Sequence, residues 1–334
     1  MNKIIVALIG AAVAGPVFAA PDWSKVPAKI VPVFYPGQSG LEWVLTKKDH
    51  SASNQILDKK RACTKCHDTD AVEIGDKIVA GKPVGNMRQP LDGAVPKGKV
   101  GSIPVAVQAS HDDKKIYLRF EWDAPASGGD KKLDSKNEMK LTAMFDDSNV
   151  EFADRVGCWA TCHEDLRGMP DANDASKSHA KSKSLGWGEG ATKYIKESRT
   201  SLEMSGKSRG GWDKLKSDAE IDAALKEGKF MDLIQFSSGK GEAVDGYVLD
   251  SRHMSGGKSL VKADGKKSGK HWTVTFERTL AAGGKGDHTL VAGKLYNIGF
   301  AIHDDFADGR FHQVSLGYTL GLDSDKADFN AVKQ

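Results

Sequence analysis

The chain has 334 residues, 39% of them hydrophobic and 28% charged, with 48 Lys and Arg against 45 Asp and Glu. A balance this close to neutral leaves no electrostatic footprint for nucleic acid, and no nucleic-acid motif is present. The length allows one large or two ordinary domains, and 36 glycines suit a loop-rich β protein with a well-solvated surface.

Residues 1–20 have the layout of a secretory signal. Lys3 gives the positive n-region, Ile4 to Ala14 the apolar stretch, and Val17-Phe18-Ala19 precede a cleavage point after Ala19 or Ala20. The apolar run is too short, and too soon broken by Pro16, for a membrane span, and no later stretch could cross a bilayer. The expectation is a mature chain exported to the periplasm with no stable membrane span after cleavage.

Residues 21–100 read as a small first unit. Prolines at 21, 27, 32 and 36 keep its start extended, Leu41 to Leu45 form a short apolar segment, and a helix from Ser53 to Ala62 leads into Cys63-Thr64-Lys65-Cys66-His67. This C-x-x-C-H pattern is the attachment signature of c-type haem. Two thiols add to the two vinyl groups on one porphyrin edge, and the next residue, His67, then lies under the iron as an axial ligand. A redox disulfide or half of a zinc site could use the same thiols, but neither requires a His directly after the second Cys. Residues 71–100 show little regular structure and little core of their own, so a haem would supply most of the unit's hydrophobic centre. On the far side of this iron His50 is the preferred ligand and Met87 its rival. Paired histidines give a lower potential than His with Met. Lys47, Lys48, Lys59, Lys60 and Lys65 cluster around the motif.

From residue 101 the texture changes. Ile103 to Ala109 and Ile116 to Trp122 read as two strands around a polar turn. Further strands are expected over Met139–Met144, Gly246–Leu249, Trp272–Phe276, Tyr296–Ile302 and Gln313–Leu320. Together they predict a mainly β domain over 101–334, an antiparallel β-sandwich with inserted loops and short helices. One helix is marked by the capping box Ser217-Asp218-Ala219-Glu220, an apolar stripe at Ile221, Ala224 and Leu225, and Gly228 at its end.

The other two of the four cysteines repeat the first motif with one extra residue. Cys158-Trp159-Ala160-Thr161-Cys162-His163 follows a strand ending at Phe145-Asp146-Asp147 and a short helix over Glu151 to Val156. All four thiols thus lie in pairs ending in Cys-His, which predicts two covalently bound haem c groups. The remaining histidines at 111, 179, 253, 271 and 288 read as surface residues. The basic run from Lys177 to Arg199 reads as a solvated face or as a docking rim for an acidic redox partner.

Three segments carry a resemblance. Met144-Phe145-Asp146-Asp147, Gly157 to His163 with Arg167-Gly168-Met169-Pro170, and Phe300 to Asp305 followed by Arg310 to Ser315 with Leu320 and Leu322 resemble the haem-binding domain of the ethylbenzene dehydrogenase type, over roughly residues 101–325. With a leading C-x-x-C-H unit the chain looks like periplasmic dihaem cytochromes of the c-552 type. The resemblance implies a β-sandwich holding haem at one end, its last two strands within residues 300–322, and electron transfer in anaerobic respiration or denitrification. The molybdoenzyme subunits of this type hold haem b without thioethers, so Cys158 and Cys162 depart from them. His163 should be proximal at the second haem. A Lys on the last-strand segment serves as a ligand in those relatives, and His312 holds the similar place here. His303 is the next candidate, then Met144 and Met169.

Two classes of function compete. An electron carrier, with both irons six-coordinate, would dock transiently with other redox proteins such as a quinol-oxidising cytochrome or a terminal reductase. A haem enzyme, such as a peroxidase or reductase, would need one open axial position beside acid and base groups, and no such constellation is legible. The expectation is therefore an electron-transfer protein without a catalytic residue. A haem subunit fixed to a molybdoenzyme is the subsidiary reading.

Overall fold

In the computed structural model the residues described are 21–37, 45, 47, 50–67, 69–86, 90–92, 95–125, 139–157, 195–204, 207–239, 241–304 and 312–334. Fifteen strands and four short helices occur among them. The strands are β1 (Lys29–Phe34), β2 (Ser102–His111), β3 (Lys115–Asp123), β4 (Lys140–Asp146), β5 (Arg199–Met204), β6 (Lys207–Leu215), β7 (Met231–Ser237), β8 (Glu242–Val248), β9 (Arg252–His253), β10 (Lys262–Ser268), β11 (His271–Thr279), β12 (Leu295–His303), β13 (Gln313–Val314), β14 (Tyr318–Leu322) and β15 (Phe329–Lys333). The helices are α1 (Ser53–Leu57), α2 (Ala71–Val79), α3 (Ala153–Val156) and α4 (Asp218–Lys226).

Thirteen of the strands form one folded-over sheet. The run β10-β11-β3-β2-β1 passes through the two-residue β13 into β12-β4-β7-β8-β9, while β14 and β15 connect β12 back to β2. The two halves therefore face each other as a sandwich. Phe120 on β3 meets Phe300 on β12 across the interior with ring centroids 5.1 Å apart, although the two strands are not hydrogen-bonded neighbours. Val105, Val107, Leu118, Val274, Leu141, Phe145, Ile298 and Leu320 fill the same core.

Strands with one apolar face in this core show their period directly in the sequence. β11 alternates cleanly, with Trp272, Val274 and Phe276 buried between half-exposed neighbours. β7 escapes a search for alternation because it is buried on both faces. Ile234 and Phe236 point into the sandwich core, and Met231 and Leu233 join a second apolar cluster outside it. β4 and β12 are shared in the same way, so the half-sheet β12-β4-β7 is a partition between two cores.

Several expectations are corrected. The segment around Pro32 is not merely extended, because it is β1, paired antiparallel with β2 from Lys29↔Val107 to Phe34↔Ser102. Residues 71–79 form a helix, α2, where little regular structure was expected. Its buried residues Ala71, Gly75 and Ile78 recur at helical spacing, and Glu73, Asp76 and Lys77 between them, with a glycine in the stripe itself, mask it in sequence. The single strand expected over Gln313–Leu320 is two, β13 and β14, parted at Ser315–Gly317. There Ser315 N donates to Phe300 O at 2.8 Å. The last strand is β15, running parallel to β14 and β2, and it lies beyond the two that the resemblance treats as final. His111 and His288 are buried rather than superficial. The Nε2 of His111 is 3.0 Å from Asp323 Oδ2, and His288 stacks on Phe230 with its Nε2 3.0 Å from Phe230 O. The capping box of α4 is present as read, with Ser217 N donating to Glu220 Oε2 at 3.0 Å. Among the described residues no helix is long and apolar enough to cross a membrane.

Candidate haem site

The outer apolar cluster is where the first cysteine motif sits. Cys63, Ile56 and Ala71 share it with Met144, Phe152, Ala153, Val156, Val314 and Leu316. α1 is shorter than the sequence suggested, ending at Leu57, and a single 3-10 turn, Cys63–Lys65, carries the motif. Cys66 N and His67 N both donate to Cys63 O, at 3.0 and 2.8 Å. That turn holds the two sulfurs and the imidazole on one short loop. Cys63 is buried and Cys66 exposed, both as free thiols. Burial, with a smaller contribution from the Cys66 sulfur, pushes the Cys63 thiol up to about 12.

His50, Gln55, Ile56, Arg61, Cys63, Cys66 and His67 line one pocket. The ring centroids of His50 and His67 stand 6.1 Å apart with their planes at 39°. An imidazole nitrogen lies about 2 Å from a bound transition metal and about 1 Å from its own ring centroid, so two rings on opposite sides of one metal are separated by roughly 6 Å. Two donor imidazoles at that spacing, beside a buried and an exposed thiol on a C-x-x-C-H turn, are a donor set that fits covalent haem. Met87, the rival to His50, lies outside the described residues.

Sequence reading missed Asp70. Its carboxylate oxygens lie 2.8 and 3.0 Å from His67 Nδ1. A carboxylate accepts and does not donate, so Nδ1 carries the proton and Nε2 keeps its lone pair for a metal. Asp70 is the N-cap residue of α2, and Ile74 N donates to its carbonyl at 2.9 Å. The helix that sequence reading overlooked is therefore what fixes the acid next to the ligand. Asp70→Asn removes the negative charge behind the imidazole and is expected to raise the midpoint potential of this haem by some tens of millivolts with the low-spin spectrum kept. Redox titration of the holoprotein checks it, and an unchanged potential would exclude the role.

Of the second motif, Cys158, Cys162, His163 and Met169 lie outside the described residues, as do Lys177 to Lys193 of the basic run. The approach to the motif is described. α3 follows Phe152 and touches the turn Cys63–Lys65. Arg155, buried on α3, donates through Nη1 to Ile56 O at the end of α1 at 3.0 Å and lies over the Phe152 ring. A carbonyl in the last turn of a helix has no partner within the helix, and the guanidinium supplies one. Gly157 has φ +60 and stands against Gly317. A Cβ at position 157 would fall 2.6 Å from Gly317 Cα, so only glycine brings the chain into Cys158 this close to the β13–β14 loop.

Of the candidates for the second iron, His312 is buried immediately before β13 and His303 ends β12. Their rings stack at 4.4 Å and 15°. That is too close for both to ligate one metal from opposite sides, so the pair offers one ligand with the other packed against it. Met144 is buried on β4, facing the outer cluster.

A sandwich carrying a C-x-x-C-H turn and an oriented histidine in a dedicated apolar cluster has the features of a c-type cytochrome. The ethylbenzene dehydrogenase family profile matches residues 20–315, so the match reaches across 21–100 as well as the sandwich. The chain is 40% identical to cytochrome c-552 of Stutzerimonas stutzeri over the full length of both, and 32% identical to cytochrome c-551 of Rhodocyclus tenuis over 94% of this chain and 100% of that one. This chain belongs to the ethylbenzene dehydrogenase family and to one family with these c-552 and c-551 cytochromes. A family 9 carbohydrate binding module from Caldicellulosiruptor kristjanssonii in complex with cellotriose overlaps 64% of this chain and 65% of its own at 8% identity. The TM-score of that overlap is 0.26, too low to carry a conclusion.

Proposed function

We propose that this protein is a periplasmic dihaem c-type cytochrome that passes electrons between respiratory redox proteins and performs no substrate chemistry. The observation that carries the reading is the 6.1 Å spacing of His50 and His67 over the Cys63–Cys66 turn. It suits an iron with both axial positions filled, and such an iron exchanges electrons without binding substrate. Haem supplies the one-electron couple. The chain's own part is to hold His67 through Asp70, to place His50 opposite it, and to exclude water with Ile56, Leu45 and Phe152.

The second haem rests on Cys158 and Cys162, with His163 proximal and His312 as the distal ligand, and His303 packed on His312. The second motif begins two residues after Val156 in the chain, and Val156 shares an apolar cluster with Cys63, which favours transfer between two haems within one molecule. Exposed Lys47, Lys59, Lys60 and Lys65 border the first motif and would steer an acidic partner such as a quinol-oxidising cytochrome or a terminal reductase. Export through cleavage near Ala19 supplies the compartment in which haem is attached.

The test is an intact mass of the exported protein with spectra of its ferric and ferrous forms. The expected result is two haems on the cleaved chain, both low spin and unreactive to cyanide or peroxide. A single haem would remove the second site, and a high-spin component that turns over peroxide would make the protein an enzyme.

A further inference from the structure

Away from the haem motifs, three aspartates converge where β7, β8 and the β11–β12 connection meet. Asp232 and Asp245 are diagonal neighbours across the β7–β8 pair, whose register sets Asp232 opposite Tyr247 and Ile234 opposite Asp245. Asp287 comes from the connection, and one carboxylate oxygen from each of the three lies within 4.8 Å of the others. Asp232 is 0% exposed and Asp287 7%.

Half of each outer carboxylate is accounted for. Asp232 Oδ2 accepts from Arg278 Nη1 at 2.5 Å and from His288 N at 2.9 Å. Asp287 Oδ2 accepts from Lys258 N, Gly283 N and Gly284 N at 2.8, 3.0 and 2.6 Å. The other half is not. Oδ1 of Asp232, of Asp245 and of Asp287 are all buried with no N–H donor, and the Asp245 and Asp287 carboxyls stand within hydrogen-bonding reach of one another. Leaving a buried acceptor unsatisfied is costly, and three in one place is a reason to look for a ligand. Against three carboxylates stands one buried guanidinium, Arg278, which leaves two negative charges. Burial, then the neighbouring Asp287 and Asp232, push Asp245 up to about 6.

The backbone packs directly against these oxygens. A Cβ on Gly257 would fall 1.9 Å from Asp245 Oδ1 and 2.7 Å from Asp287 Oδ1, so glycine is required there for the two carboxylates to stand this close. Asp287 also lines a surface groove with Asp147 and Lys294, which gives access from solvent.

We propose that Asp232, Asp245 and Asp287 bind one calcium ion through their free Oδ1 atoms, tying β7 and β8 to the β11–β12 connection. The donors are oxygens alone, without the His or Cys that zinc or copper would call for. A site of protein oxygens in a largely buried setting suits calcium, whereas magnesium sheds water reluctantly and keeps several waters about it. Two positive charges also match the deficit left by Arg278.

The experiment uses the full-length holoprotein and calcium chloride as the probe. Metal analysis after dialysis in calcium and then against EDTA is combined with thermal melts in both buffers. The expected result is one calcium per chain, removed by EDTA, with the melting temperature falling by roughly 5 °C on removal and the haem spectra unchanged. In Asp245→Asn, a half-buried position, melting should no longer differ between the two buffers. The proposal is overturned if the unaltered protein takes up no calcium at millimolar concentration and melts identically in calcium and EDTA. It is also overturned if magnesium gives the same shift at the same concentration, or if Asp245→Asn and Asp287→Asn both still bind calcium as the unaltered protein does.

Discussion

Replacing His50 with alanine is expected to convert one haem of the holoprotein from low to high spin and to make it bind cyanide, while the other haem keeps its spectrum. The imidazoles of His50 and His67 have the spacing of two ligands on one metal. Only His67 is anchored by the attachment turn and by Asp70. If a haem is held between them, removing His50 would take away one ligand without disturbing covalent attachment, and water or an added anion would enter the place. His50→Met tests the same position by a different reading. A thioether favours ferrous iron, so the potential of this haem should rise on the order of 100 mV with low spin retained. Spectra that stay low spin and cyanide-silent in His50→Ala would mean another residue ligates this iron, and Met87 would then be the first to substitute.

What was legible in the sequence is what lies close along the chain. The C-x-x-C-H pattern needs five consecutive residues, and the loop Cys63–His67 gathers them on one turn. The capping box of α4 spans four residues and forms as read. Strands with one wet face, such as β11, show their period directly. β7, apolar on both faces, shows no period, whereas β4 and β12, which also serve both cores, remain legible as apolar runs. Asp70 sits only three residues from His67, yet its role depends on α2 starting there, and the charged residues of α2 hide its buried stripe. His303 and His312 looked like rivals in sequence, and the stacking of their rings makes them a ligand candidate and its packing partner. The aspartate cluster had no sequence signal, since β7, β8 and the connection before β12 meet only through sheet topology.

Arg278→Ala should destabilise the protein by roughly 3–5 kcal/mol, the largest effect expected of a single substitution outside the haem sites. The guanidinium is 1% exposed. It donates to Asp232 Oδ2, to Ser259 Oγ at 3.0 Å and to His288 O at 2.8 Å, and it lies against the Phe145 ring. Alanine would leave Asp232, 0% exposed, without its guanidinium partner and the three carboxylates of Asp232, Asp245 and Asp287 short of one positive charge. An uncompensated buried charge accounts for most of the loss, and the cavity left by the side chain adds to it. Arg278→Lys keeps a charge but cannot make the forked contacts to three groups at once, so it should recover only part of the stability. Equilibrium denaturation followed by circular dichroism measures both variants. Because β7 carries Ile234 and Phe236 into the sandwich core and Met231 and Leu233 into the haem-side cluster, loss of the ion pair at Asp232 should loosen both cores together. The haem absorbance and the far-ultraviolet signal of Arg278→Ala should then shift to lower denaturant in parallel. If only the far-ultraviolet transition moves, β7 does not couple the two cores in the way its position between them suggests.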